Sequence, residues 1–303
     1  MADSAYDVLV IGEGVSGLAA AQVCAKAGAR TATLEAQLFG GLVINVNEMD
    51  PSPATHTAAG AEYASELMQA NAELGIESIQ EAVTGVRRTN GLFEVVTAST
   101  TRHAKQVIVA SGARLKKLGV PGEAEFEGRG VSQCADCDGP MYHGEAAVVV
   151  GGGDSALQEA LVLAHYCDKV HLVHRGTEFR AQARFVEHVR NEPKIALVLN
   201  ATLQKISGRQ MVESALVRHA DGKEQTLPCA GVFIYVGLEP NSDFLPPEVE
   251  RDARGFVVTN AELETAVPGL WAIGAVRSGY AGLLTDALDE GQRVAAQIAG
   301  RII

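Results

Sequence analysis

The chain holds 303 residues, enough for about two domains of ordinary size. It carries 25 Lys and Arg against 37 Asp and Glu, a formal charge of −12, and only 5% aromatic residues. That acidity repels a phosphate backbone and few rings are left for stacking bases, so nucleic acid is not an expected partner.

No run of about 18 apolar residues offers a membrane span, and Met1 to Asp7 lacks the basic start and cleavage site of a secretory signal. Cys24, Cys134, Cys137, Cys167 and Cys229 are too sparse, and odd in number, for a disulfide scaffold. A reducing, cytoplasmic setting is the expectation.

The apolar run 6–11 predicts a strand, the Ala-rich, Pro-free stretch 15–27 a helix, and 31–35 a second strand. A helix follows over 56–74 and strands over 92–97 and 105–110. The same grammar returns as a strand from Ala146, a helix over 154–166 and a strand over 169–175. A strand over 230–241, short strands at 256–259 and 270–273 and a closing helix at 283–299 complete the chain. Stretches 113–122 and 238–247, the latter with three prolines, read as linkers. The fold class expected is α/β: two Rossmann-like dinucleotide-binding domains, the second inserted into the first. Residues 1–114 and 243–303 would form one domain, and 115–242 the other.

Gly12-Glu13-Gly14-Val15-Ser16-Gly17 is a G-x-G-x-x-G string between strand and helix, and Glu35 ends the next strand. Gly12 allows the tight turn, Gly14 admits a pyrophosphate to the backbone, and Gly17 lets helix and strand pack. The helix N-terminus supplies free N–H groups to phosphates. Glu35 would accept ribose hydroxyls and repel a 2′-phosphate, which suits FAD or NAD rather than NADP.

Gly151-Gly152-Gly153-Asp154-Ser155-Ala156 is a second such string, but His174 and Arg175 end its next strand and Arg180 follows. Cations there suit a ribose 2′-phosphate, so NADPH is the expected ligand.

Cys134-Ala135-Asp136-Cys137-Asp138 is the most chemical segment. Two cysteines three apart, at a turn or a helix start, can close a small disulfide, and a helix N-terminus favours a thiolate. Asp138 is placed to exchange a proton with a departing thiolate. Zinc normally takes four ligands, and no second C-x-x-C exists, so no metal site is expected. Cys24, Cys167 and Cys229 read as small core residues. His165 and His171 read as structural, and His56, His103, His188 and His219 as solvated. His143 lies near enough to the pair to matter.

The order of these motifs resembles the low-molecular-weight thioredoxin reductases, among the flavoprotein disulfide reductases with two dinucleotide-binding domains. The resemblance rests on Gly12 to Gly17, Gly40-Gly41, Ala110-Ser111-Gly112, Cys134 to Gly139, Gly151 to Ala156, Glu239-Pro240-Asn241 and Val267 to Gly274. It implies a flavin set that adds Asn45, Val83, Gly274 and Ala275. It implies NADPH as donor, FAD as carrier, Cys134–Cys137 as the redox disulfide and a thioredoxin-like partner. It further implies a homodimer, Cys137 beside the flavin, Cys134 as the thiol that attacks the partner, and Asp138 as the acid. Two domains that rotate about their linkers would present cysteines and nicotinamide to the flavin in turn.

The chain departs from the family pattern at several contacts. Ala275 stands for an Asp, Leu42 for a Gln, and Gly282, Leu283 and Leu284 for Arg-Gln-Ala, while Gly176 replaces a second Arg after Arg175. These departures motivate an alternative on the same fold: a flavin dithiol oxidase, or a ferredoxin-linked thioredoxin reductase with weakened NADPH use.

Overall fold

In the computed structural model, the described residues are 5–302 except 47, 48, 50, 51, 54–56 and 58. The chain divides into two compact units, Met1–Arg114 with Glu239–Ile303, and Leu115–Leu238.

The first unit opens with β1 (Tyr6–Ile11), α1 (Val15–Lys26) and β2 (Thr31–Leu34), then α2 (Gly60–Glu73), β3 (Glu77–Ile79), β4 (Val83–Thr89), β5 (Leu92–Thr97), β6 (Thr101–Val109) and β7 (Ala113–Leu115). The second holds β8 (Val131–Ser132), α3 (Ala135–Asp138), β9 (Ala146–Gly151), α4 (Asp154–Tyr166), β10 (Lys169–His174), α5 (Ala183–Asn191) and β11 (Ile195–Leu199). It continues through β12 (Ala201–Gly208), β13 (Val212–His219), β14 (Glu224–Pro228) and β15 (Gly231–Tyr235). Then β16 (Leu238–Pro240), β17 (Leu270–Ala272) and α6 (Leu284–Ile302) return to the first unit.

The main sheet of the first unit runs β3-β2-β1-β6-β5-β4, with β17 also on β6. β3, β2, β1, β6 and β17 are parallel; β5 and β4 join antiparallel. Central β1 is buried on both faces, as parallel strands require. Leu9 and Ile11 enter the core shared with β5 and β17, while Val8 and Val10 face the core of α1 and α6. α1 and α6 approach closely because the crossing is lined by Gly and Ala: a Cβ at Gly291 would sit 2.7 Å from the Ser16 carbonyl.

In the second unit a parallel sheet runs β11-β10-β9-β15-β8, beside the antiparallel sheet β12-β13-β14. Val148 and Val150 pack toward β12–β14, and Ala147 and Val149 toward α4. In both units neighbours lie on either side of the strand that leads into the glycine turn, β2 and β6 around β1, β10 and β15 around β9. The loops after β1 and β9 therefore stand at topological switch points, where α/β folds bind ligands.

Several expectations are corrected. The strand expected over 230–241 breaks at Val236-Gly237, where Gly237 takes φ +109°. Residues 256–259 form no strand; Val257 makes only isolated bridges to Arg251 and Arg277. The helix expected from 56 starts at Gly60, and His56 lies outside the described residues. The stretch 113–122 is ordered, not open linker. β7 pairs with β16, and buried Glu123 accepts the N–H groups of Leu118, Gly119 and Val120. The antiparallel sheet β12–β14 and helix α5 had no counterpart in the motif-based reading.

Candidate functional site: two glycine loops and a redox turn

Gly12 adopts φ +108°, and a Cβ there would lie 2.3 Å from the Ala110 carbonyl. A Cβ at Gly17 would lie 2.1 Å from the Gly12 carbonyl. Only glycine fits either place. Around Gly14 the nearest atom a Cβ would meet is the Gly40 carbonyl at 4.0 Å, so that side of the loop is open. Gly14 caps α1 without a side-chain bond, which leaves the first N–H groups of Val15, Ser16 and Gly17 without intrahelical partners.

Most of the surrounding predicted residues lie about this loop, and Val83 does not. Gly40 bridges Gly14, and its N–H donates to the Glu13 carbonyl at 2.6 Å. Ala110 and Ser111 abut Gly12, while Gly112 takes φ +65° and its carbonyl accepts the Asn241 N–H. Glu35 Oε2 accepts the Glu13 N–H and Oε1 the Gln37 N–H, each at 2.9 Å. Both oxygens keep further lone pairs for ribose hydroxyls. At Gly274 a Cβ would lie 2.6 Å from Ser16 Oγ, and Ala275 follows on the same 3-10 turn. Gly41 and Asn45 begin and end the 3-10 turn after Gly40. Val83 starts β4 and packs against the main core rather than the loop.

Two features here escaped sequence reasoning. Glu13 is fully buried, its Oε1 bonded by Thr33 Oγ1 at 2.5 Å, while Oε2 has no partner among the described residues. Glu290, also buried, accepts the Gly274 N–H at 2.7 Å and pairs with Arg277, so α6 pins the turn carrying Ala275. Neither motif spacing nor composition reports which acids are buried.

The second loop is built alike. A Cβ at Gly151 would meet the Tyr235 carbonyl at 2.4 Å and Ala156 Cβ at 2.6 Å; around Gly153 the space is open. Gly153 caps α4 with no side-chain bond. Asp154 has both carboxylate oxygens engaged: Oδ1 accepts the Gln182 N–H (2.7 Å) and Oδ2 the Gln182 side-chain amide (2.8 Å). With the Arg180 N–H bonded to the Gly152 carbonyl (2.7 Å), it draws the loop after β10 onto the glycine turn. Ser155, next on α4, is exposed.

His174 packs against the second glycine turn. Its ring occupies the space a Cβ at Gly152 would need, and Nε2 donates to the Glu178 carbonyl at 2.9 Å. Arg175 and Arg180 are exposed, with guanidinium groups that find no partner among the described residues.

Cys134 and Cys137 form a disulfide with Cα atoms 5.3 Å apart. Cys134 is the N-cap of α3: its own N–H donates to Ser132 Oγ (3.1 Å), and its Sγ accepts the Cys137 N–H (3.2 Å). Gly139 must follow, since a Cβ there would meet the Tyr166 ring at 2.8 Å. Cys137 is exposed and Cys134 half-buried; Asp138, half-buried, ends α3. The other cysteines are free and buried. Burial pushes Cys24 and Cys229 up to about 12 and Cys167 up to about 11.

Glu159 also escaped sequence reasoning. From α4 its Oε2 accepts the Ala135 N–H (2.8 Å) and the Tyr235 hydroxyl (3.1 Å).

Residues 6–291 match the family model described as pyridine nucleotide-disulphide oxidoreductase. The chain is 38% identical over 275 residues to the thioredoxin reductase of Treponema pallidum, covering 90% of this chain and 89% of that protein. With the thioredoxin reductase of Listeria monocytogenes it shares 37% over 280 residues, covering 90% and 86%. The crystal structure of Lactococcus lactis thioredoxin reductase matches with a TM-score of 0.92 at 32% identity, covering 97% of this chain and 98% of that one.

Proposed function

The chain belongs to the pyridine nucleotide-disulphide oxidoreductase family, and on that premise we propose that it is an FAD- and NADPH-dependent disulfide reductase whose Cys134–Cys137 pair reduces the disulfide of thioredoxin or a similar small protein. The observation that carries this reading is a disulfide turn with one exposed cysteine, in the unit that holds the second glycine loop. Three further thiols that stay free suit a reducing cytoplasm.

The residues fit both cofactors. The first loop is shaped by glycines that admit no Cβ, is open at Gly14, and ends in uncapped N–H groups beside Glu35. Gly12–Gly17, Gly40, Gly41, Ala110–Gly112 and Gly274 would hold FAD. The second loop adds two unpaired cations, so Gly151, Gly153, the N-terminal N–H groups of α4, Arg175 and Arg180 would hold NADPH. When bound, these groups supply the electron pair that opens the disulfide.

What the chain itself does follows from the redox turn. Cys137 is the more exposed residue of the pair. Cys134 Sγ already accepts a backbone N–H, a bond that strengthens when the sulfur carries charge. We therefore assign attack on the partner disulfide to Cys137 and release of the mixed disulfide to Cys134. This reverses the order that the family resemblance implied, and the reason is exposure. Asp138 is the group placed to protonate the departing partner thiolate.

The test is trapping. Cys134→Ser should accumulate a mixed disulfide with thioredoxin through Cys137, seen on a non-reducing gel. Cys137→Ser should keep FAD yet trap nothing and reduce nothing; a trap formed only by Cys137→Ser would reverse the assignment. Ala275 and Gly176 favour a second reading, a dithiol oxidase or ferredoxin-linked reductase. Oxygen uptake with a dithiol, but no turnover with NADPH, would select the oxidase; turnover with reduced ferredoxin and none with NADPH would select the ferredoxin-linked enzyme.

A further inference from the structure

We propose that Glu159 is a positioning residue that holds the redox turn in place and whose negative charge restrains thiolate formation in the reduced Cys134–Cys137 pair. This deepens the reading above and rests on it.

The helix α3 spans only four residues, so the Ala135 N–H at its start has no intrahelical acceptor. Glu159 supplies one, 2.8 Å away, and the same oxygen takes the Tyr235 hydroxyl at 3.1 Å. Three elements thus meet at one carboxylate: the redox turn, β15, and α4. The N-terminus of α4 is the second glycine loop, so the helix that begins at the nucleotide turn also fixes the residue after Cys134.

The disulfide is neutral, whereas the working dithiol carries a negative charge when one thiol ionises. A carboxylate beside the turn opposes that charge, raises the thiol pKa and makes the pair more reducing. Glu159 also occupies the N–H that a helix start would otherwise offer a thiolate. The other ionisable groups facing this site are Asp136 and Asp138 on the turn and Tyr235 on β15. Burial, followed by the charge of Asp136, raises the Glu159 pKa, while the bonds from Ala135 and Tyr235 oppose that rise. As pH falls through this raised pKa, Glu159 becomes neutral and its restraint disappears.

Glu159→Gln isolates the charge, because a carboxamide oxygen still accepts both bonds. The probe is iodoacetamide, applied in short pulses from about pH 5 to pH 9 to the FAD-loaded protein. The protein is reduced with dithiothreitol, so the readout needs no NADPH turnover, and each cysteine is followed by mass spectrometry. In E159Q the inflection for the more reactive cysteine of the pair should fall by about one unit, equivalent to about tenfold more thiolate on the rising limb. Wild type and E159Q should converge at acid pH.

Tyr235→Phe removes a bond that opposes the rise of the Glu159 pKa, so the carboxylate turns neutral at a higher pH and the Y235F inflection should lie at or between those of wild type and E159Q. An E159Q inflection unchanged or raised overturns the proposal, as does a Y235F inflection above wild type or below that of E159Q. If the wild-type pair is never joined when oxidised, the functional reading itself fails, and this inference with it.

Discussion

One added Cβ decides whether the first glycine loop can exist. At Gly12 it would lie 2.3 Å from the Ala110 carbonyl, on a backbone with φ +108°. Gly12→Ala should therefore displace the strand end or the loop, at about 1–3 kcal/mol. The expected outcome is a folded protein that loses FAD on gel filtration, read from the visible absorbance of the eluted peak. Retention of full FAD content would contradict the role given to this glycine. Reactivity is as local as packing. With pKa values pushed up to about 12, 11 and 12, Cys24, Cys167 and Cys229 stay neutral thiols at neutral pH. After reduction, a brief iodoacetamide pulse on the native protein should label Cys134 or Cys137 and leave those three unmodified, as peptide mass spectrometry would report. At this scale the glycines and the C-x-x-C were legible, because each backbone conformation or bond needs that residue type. Glu13, Glu159 and Glu290 were not, because an acid's value here comes from burial against distant partners such as Thr33, Ala135 and Gly274.

At the scale of elements, α6 is more than a lid on the sheet. Glu290 from this helix holds the Gly274 N–H and the Arg277 guanidinium, with both ion-pair partners largely buried. Removing one partner of such a pair strands the other charge and typically costs about 3–5 kcal/mol. Glu290→Ala should lower the stability of the first unit by about that amount in urea unfolding, whereas a loss below about 1 kcal/mol would mean the pair is dispensable. Strands with continuous apolar runs, such as β1 and β9, were readable because both faces are buried. The break between β15 and β16 was not, since apolar content persists through Val236 while Gly237 turns the backbone. β12–β14 are half-exposed strands with charged outer faces, a pattern easily passed over when motifs guide the eye.

At the scale of the whole chain, the same strand–glycine turn–helix design is used twice with opposite charge at the end of the next strand: Glu35 in one unit, Arg175 in the other. That contrast, visible in the sequence, is the basis for proposing a flavin nucleotide at the first loop and a 2′-phosphorylated pyridine nucleotide at the second. The difference in exposure between Cys134 and Cys137 was not visible in the sequence, because it depends on how α3 rests on α4 and β15.

In the proposed reaction, reducing equivalents reach the sulfur–sulfur bond in the second unit. Anaerobic titration of the FAD-loaded protein with NADPH, followed by acid quench and thiol labelling, tests this in one experiment. Two new thiols per chain are expected, at Cys134 and Cys137. NADPH consumption that leaves these two cysteines joined, or an oxidised protein in which they were never joined, would contradict the proposal.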